Sequence, residues 1–132
     1  MGAIIGLDVG TIRVGCAVAD SSIKIPFPRA IWNRAKGLAE KEILNIINEL
    51  KPISLIVGIP LNSKGERTPI CDAIEQFCQR ITKRASVKIE YVDEAFTSVE
   101  ASERMRGFNN DGPVDAAAAC LILERYFETG GL

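Results

Sequence analysis

Hydrophobic residues recur in five short stretches whose spacing or continuity predicts β-strands. These stretches cover residues 4–9, 13–19, 24–31, 53–59 and 87–92. Pro26 and Pro28 interrupt the third stretch, which suits an edge strand. The run at 53–59 is almost entirely apolar, as expected of a strand covered on both faces of a sheet. Only Gly10-Thr11-Ile12 separates the first two stretches, and this short connection predicts an antiparallel hairpin.

Four further segments have the apolar spacing of amphipathic helices. They cover residues 36–50, 68–84, 97–105 and 113–127. Pro52 ends the first, Thr97 or Ser98 can cap the third, and Pro113 suits the first turn of the last. The order β-β-β-α-β-α-β-α-α predicts an α/β fold with a mixed sheet, antiparallel at first and parallel afterwards.

The length and composition indicate one small globular domain over residues 1–132. Hydrophobic residues make up 47% of the 132 residues, too many for a disordered chain. No apolar run approaches the roughly 20 residues that a membrane helix requires. The apolar start of the chain is short and interrupted by Asp8, so it does not resemble a signal peptide. We therefore expect a cytoplasmic protein.

The residue types narrow the available chemistry. The chain contains no histidine, which excludes Ser-His-Asp and Cys-His catalysis and His-ligated zinc. Its four cysteines form no C-x-x-C pair, and we expect them to be free thiols in the core. Their positions are Cys16, Cys71, Cys78 and Cys120. The net charge of −1 means that any contact with nucleic acid depends on a local basic patch or on bound cations.

Acidic residues occur at three places where a carboxylate is unusual. Asp8 ends an apolar strand, where a charge is costly unless it is paired or binds a cation. Asp93-Glu94 follows the fifth strand, and only one of the two can share a face with Asp8. Asp115 lies in the first turn of the last helix, in line with an apolar stripe. The structural alternatives are a turn aspartate, a solvated strand end and an acid favoured by the helix dipole.

Three converging carboxylates without histidine would suit Mg²⁺ or Mn²⁺, because these ions prefer oxygen ligands. Two such ions can activate a water molecule and stabilise the leaving oxygen in phosphodiester hydrolysis. The residues alone do not decide between Asp93 and Glu94.

Four motifs together resemble the YqgF family, also called RuvX-like Holliday junction resolvases. The first is Gly6-Leu7-Asp8-Val9-Gly10-Thr11 with Arg13, and the second is Ile56-Val57-Gly58-Ile59-Pro60. The third is Asp93-Glu94 with Thr97-Ser98, and the fourth is Val114-Asp115 with Ala117-Ala118. They follow one another in the family's order and cover almost the whole chain.

The resemblance implies an RNase H-like fold with a five-stranded mixed sheet of order 3-2-1-4-5 and helices on both faces. It implies a nuclease that matures the 5′ end of the small-subunit rRNA precursor. By the same resemblance, Asp8, Glu94 and Asp115 match the family's metal-binding, catalytic acids, and Glu94 is preferred over Asp93. The implied partner is nucleic acid, with pre-rRNA favoured over branched DNA, and the chain would act as a monomer or a homodimer away from membranes.

Two departures from the family pattern remove positive charge near the proposed site. Ala95 stands where an arginine is usual, and Asn109 lies in a loop that is often lysine-rich. The remaining candidate contacts to nucleic acid are basic, namely Arg13, Lys64, Arg67, Arg104 and Arg106, each with a solvated surface role as its alternative. Trp32 and Phe108 are candidates for stacking on unpaired bases, although core burial is the commoner fate of such residues.

Other functions remain open at this point. A Holliday junction resolvase would need two active sites and hence a dimer. An actin-like or sugar-kinase-type domain also begins with an apolar strand, Asp and Gly-Thr, but it needs a second domain to enclose ATP. A non-catalytic ribosome-assembly factor would fit the loss of basic residues, but it has no need of three inward carboxylates.

Overall fold

The computed structural model describes residues 2–93 and 113–131. For residues 113–115 it describes only the backbone. Its elements are the five strands and three α-helices that follow. The strands are β1 (Ala3–Val9), β2 (Arg13–Asp20), β3 (Phe27–Asn33), β4 (Ser54–Ile59) and β5 (Lys88–Asp93). The helices are α1 (Leu38–Leu50), α2 (Pro69–Thr82) and α3 (Pro113–Glu128), and a 3₁₀ turn at Ala35–Gly37 precedes α1. The predicted helix at 97–105 lies outside the described residues.

The five strands form one mixed sheet in the order β3-β2-β1-β4-β5, which confirms the predicted order. β1 pairs antiparallel with β2, and β2 pairs antiparallel with β3. β4 pairs in parallel with both β1 and β5. β1 is therefore the central strand at which the antiparallel half of the sheet meets the parallel half.

Helices cover both faces of this sheet, as predicted. One core layer joins α1 and α2 to alternate strand residues, among them Ile5, Leu7 and Val57. The other joins α3 to the intervening residues, among them Ile4 and Ile56. Strand residues alternate between the two layers because successive side chains point to opposite faces. Burial on both faces explains the nearly continuous apolar sequence of β4.

The third strand differs from its predicted bounds, since it begins at Phe27 and ends at Asn33 instead of spanning 24–31. A turn occupies the predicted start: the Lys24 amide donates to the Asp20 carbonyl oxygen at 2.8 Å, and Lys24 has a φ of 61°. A left-handed residue cannot continue an extended strand. β3 is an edge strand, as predicted from Pro26 and Pro28.

The thiols and the tryptophan lie in or against the core. All four cysteines are free; Cys16, Cys71 and Cys78 are buried and Cys120 is half-buried, which confirms the prediction. Burial raises the pKa of the Cys16 thiol to about 12 and that of Cys78 to about 11, because desolvation disfavours the thiolate. Trp32 is partly buried and packs against the core layer formed with α1 and α2, which favours a role in the core over one in base stacking. No helix among the described residues is long and apolar enough to cross a membrane.

Candidate metal centre and nucleic-acid site

Asp8 lies at the penultimate position of β1, on the face covered by α3. Ile4 belongs to the α3 layer, and a Cβ atom on Gly6 would meet the Leu123 side chain and the Ala119 carbonyl oxygen of that helix. Alternation along the strand places the Asp8 side chain on the same face as Ile4 and Gly6. Asp8 is half-buried. The carboxylate of Asp8 therefore lies on the sheet face that α3 covers, at the end of an apolar central strand.

The strand positions beside Asp8 carry no side chains. Asp8 pairs directly with Gly15 of β2. On the other side, Leu7 pairs with Val57 of β4, and Gly58 follows. In most sheets a cross-strand side chain would fill these places. Glycines on both neighbouring strands therefore place no Cβ atom beside the carboxylate on the α3 face of the sheet.

The direction of α3 can be read from its contacts with the sheet. The Tyr126 hydroxyl lies beside Ser54 and donates a hydrogen bond of 2.7 Å to the Glu90 carboxylate. Ser54 pairs with Ile4, near the beginning of β1. The Ala119 carbonyl oxygen meets Gly6, two residues further along β1. The helix therefore runs antiparallel to β1, and its first turn, which contains position 115, lies toward the Asp8 end of the strand.

Of the acidic pair, Asp93 is the last residue of β5 and of the first described segment. Val92 packs against the α3 layer, whereas Ile89 packs against the α1/α2 layer. By alternation, Asp93 lies on the α1/α2 face, opposite the face of Asp8. Glu94 lies outside the described residues. The register of β5 thus weighs against Asp93 as a partner of Asp8, which the sequence alone did not decide.

The hairpin that follows Asp8 is held by an arginine that the sequence analysis did not identify. The Gly10 amide donates to the Arg13 carbonyl oxygen at 2.9 Å. A Cβ on Gly10 would lie 2.8 Å from that same oxygen, so the close approach requires glycine. Arg34 donates from its amide to the Ile12 carbonyl oxygen and from its guanidinium Nη1 to the Gly10 carbonyl oxygen, each at 2.9 Å. No periodic or motif signal marks Arg34, because its role depends on the pairing of β2 with β3.

The predicted basic contacts differ in their surroundings. Arg13 is exposed at the start of β2, and Lys64 is exposed in the loop before α2. The Arg67 guanidinium donates to Asp72 at 2.7 Å and to both Glu75 oxygens at 2.6 and 2.9 Å. These two carboxylates accept three hydrogen bonds from the guanidinium and offset its charge, which makes Arg67 a weaker phosphate contact. The other residues discussed as contacts or departures from the family pattern lie outside the described residues, namely Arg104, Arg106, Ala95, Phe108 and Asn109.

Asp8 is the one proposed ligand whose side chain the structure describes, and its carboxylate suits a hard divalent cation. Asp8 offers carboxylate oxygens from the central strand, and neither neighbouring strand places a side chain directly beside it. Within residues 2–93 and the described part of α3, no group of three or more His, Cys, Asp or Glu side chains is placed to hold a metal ion. Glu94 and the Asp115 side chain lie outside these residues.

Comparison with known proteins identifies the family. Residues 2–129 match the family model RuvX, described as a Holliday junction resolvase. A protein of Glaesserella parasuis named "Putative pre-16S rRNA nuclease" is 34% identical over 131 residues, which cover 95% of each chain. A protein of Escherichia coli with the same name is 33% identical over 98% of each chain.

Solved structures with the same architecture include two resolvases bound to Holliday junctions. Thermus thermophilus RuvC in complex with a Holliday junction superposes with a TM-score of 0.59 at 14% identity, covering 99% of this chain and 98% of that one. The fowlpox virus resolvase bound to junction DNA superposes with a TM-score of 0.58 at 15% identity, covering 96% and 97%. At such identities the likeness concerns the fold, which is RNase H-like as the motifs implied. The family model and the relatives above 30% identity show that the chain belongs to the RuvX family of RNase H-like nucleases.

Proposed function

We propose that this chain, acting as a single domain, is a Mg²⁺-dependent nuclease that processes the 5′ end of pre-16S rRNA in the cytoplasm. Asp8, Glu94 and Asp115 would hold the metal. The observation that carries the proposal is the placement of Asp8 beneath α3 with glycines on both neighbouring strands. A structural aspartate would not need glycine at both neighbouring positions, whereas a metal with its water ligands and a phosphate would need the room that side chains there would take.

Each of the three acids would supply carboxylate oxygens from a different element. Asp8 would do so from the centre of the sheet, Glu94 from just beyond β5, and Asp115 from the first turn of α3. When bound, Mg²⁺ would lower the pKa of a water molecule and neutralise charge on the phosphate. Arg13 and Lys64, both exposed, would bind neighbouring phosphates of the substrate.

The substrate assignment rests on the curated relatives, which are named pre-16S rRNA nucleases and match nearly the full chain. A second candidate is cleavage of branched DNA, which the family description and the junction-bound structures favour. Symmetric cleavage of a junction requires two active sites and therefore a homodimer, whereas rRNA processing can proceed in a monomer.

A competition between substrates tests the assignment. The purified chain would be incubated with Mg²⁺ and equal concentrations of a labelled pre-16S rRNA fragment and a labelled four-way DNA junction. We expect faster cleavage of the rRNA, at the boundary of the mature 5′ end. Faster cleavage of the junction, with a dimer seen by sedimentation, would favour the resolvase. If neither substrate were cut while rRNA was still bound, the chain would be an assembly factor.

A further inference from the structure

We infer that Arg34 is a positioning residue for the metal centre: it fixes the β1–β2 hairpin and thereby the end of the strand that carries Asp8. This inference rests on the proposed function, since it concerns the geometry of the same site. Arg34 lies directly after β3 and is half-buried. It bridges three parts of the molecule that are distant in sequence, namely the hairpin, the edge strand and α2.

The hairpin contacts of Arg34 involve both its main chain and its side chain. Its amide donates to the Ile12 carbonyl oxygen, which extends the β2–β3 ladder beyond the last pair, Arg13 with Asn33. Its guanidinium donates to the Gly10 carbonyl oxygen. Gly10 is two residues beyond Asp8, and Arg13 begins β2. One side chain therefore restrains the turn between a proposed metal ligand and a proposed phosphate contact.

The guanidinium is itself held from the side of α2. Its central carbon lies 4.9 Å from the centre of the Phe77 ring, within the range of a cation–π contact. Phe77 is fully buried in the α1/α2 layer. Because the ring sits on a rigid helix, it restricts the rotamers of Arg34 and fixes the donor that reaches Gly10. Removing a group hydrogen-bonded directly to a metal ligand costs about 10–100-fold in metal affinity, and Arg34 acts one step further away, through the backbone, so we expect the lower end of that range.

Arg80 provides a matched control. Its guanidinium carbon lies 5.6 Å from the same Phe77 ring, but its hydrogen bond goes to Glu40 of α1. Arg34→Met and Arg80→Met each remove one charge and one cation–π contact while keeping an apolar stem over the ring. Only Arg34→Met removes the bond to Gly10, so the difference between the two variants isolates the hairpin restraint.

The test uses two measurements on the full chain. Amide hydrogen exchange at Gly10, without metal, should be about tenfold faster in Arg34→Met and unchanged in Arg80→Met. The Kd for Mn²⁺, measured by calorimetry, should rise about tenfold in Arg34→Met alone. Equal exchange rates and equal Mn²⁺ affinities in the two variants would overturn the inference. Failure of the wild-type chain to bind Mn²⁺ would instead overturn the proposed function.

A second variant covers the case in which Arg34→Met does not fold. Arg34→Lys keeps the charge and most of the stem, but its single ammonium group cannot contact the Phe77 ring and the Gly10 carbonyl oxygen together. We expect faster exchange at Gly10 and weaker Mn²⁺ binding than in the wild type. If a folded Arg34→Lys protein had the wild-type exchange rate at Gly10 and the wild-type Kd for Mn²⁺, the proposed role of Arg34 in holding the hairpin would be contradicted.

Discussion

At Gly6 the main chain of β1 comes close to that of α3. A Cβ there would lie 2.6 Å from the Leu123 Cγ atom and 2.9 Å from the Ala119 carbonyl oxygen. The backbone oxygen cannot move aside without shifting the helix. Since the Asp8 end of β1 and the first turn of α3 lie beyond this contact, the spacing at Gly6 sets the separation of the two elements that carry Asp8 and Asp115.

Gly6→Ala should therefore destabilise the chain by about 1–3 kcal/mol, because the added methyl group overpacks the helix–sheet contact. Urea unfolding measures this change. Gly2→Ala is the control, since its Cβ would meet only the movable end of the Ile53 side chain at 2.8 Å. We expect that variant to change the free energy of unfolding by less than about 0.5 kcal/mol. Equal losses in both variants would contradict the close approach at Gly6.

Residue types alone indicated part of the site. Asp8 could be proposed as a metal ligand because a carboxylate in an apolar strand is costly unless it is paired or binds a cation. The choice between Asp93 and Glu94 could not be made from residue types, since it depends on where β5 begins and which of its residues face α3. Arg34 could not be found either, because in the sequence an arginine after an edge strand looks like an ordinary surface residue, and its contacts with the hairpin depend on the strand pairing.

The loop between β4 and α2 shows how an element presents a basic residue. The Asn62 side-chain oxygen accepts hydrogen bonds of 2.9 Å from the amides of both Lys64 and Glu66. Thr68, before α2, donates to the Pro60 carbonyl oxygen at 3.1 Å. The loop is therefore held at both ends, and the exposed Lys64 side chain extends from a fixed backbone.

This arrangement predicts different roles for two neighbouring cations. Lys64→Ala should weaken RNA binding and reduce its dependence on salt by about one released counterion. Arg67→Ala should change binding less, because Asp72 and Glu75 already bind its guanidinium. Fluorescence anisotropy at several salt concentrations, with the Asp8→Asn protein as the uncut background, measures both. A larger effect for Arg67→Ala would show that it leaves its carboxylate partners to bind the substrate.

Among the elements, the strong patterns were predicted well and the weak ones were not. α1, α2 and β4 have clear apolar periodicity or continuity, and their observed bounds lie close to the predicted ones. The start of β3 was wrong because the turn at Lys24 uses a left-handed lysine instead of the usual glycine or asparagine. The predicted start of the first helix was early because Lys36 and Gly37, the last two residues of the 3₁₀ turn, are left-handed, so α1 begins only at Leu38.

At the scale of the whole molecule, the buried thiols link stability to pH. The pKa of Cys16 is raised from 9.0 to about 12 and that of Cys78 from 9.0 to about 11, mainly by burial. Above about pH 9 the unfolded chain loses these protons while the folded chain keeps them. The folded state then binds more protons, so the free energy of unfolding falls as the pH rises.

Urea unfolding between pH 8 and pH 10.5 measures this dependence. The Cys16→Ala and Cys78→Ala variants should be less stable at pH 8, because each leaves a cavity, but their stability should fall less steeply with pH than that of the wild type. Slopes identical to the wild type would show that other groups cause the alkaline loss.

The most direct test of the account is the rate of Mg²⁺-dependent cleavage of pre-16S rRNA by matched carboxylate variants. Asp8→Asn, Glu94→Gln and Asp115→Asn keep the shape of each side chain and remove its charge. Asp93→Asn makes the same change on the opposite face of the sheet. We expect the first three to lose at least about 100-fold in rate, as removal of a metal ligand or its supporting shell does, and Asp93→Asn to remain within about threefold of the wild type. A comparable loss in Asp93→Asn, or a wild-type rate in folded Asp8→Asn, would contradict the proposed metal centre.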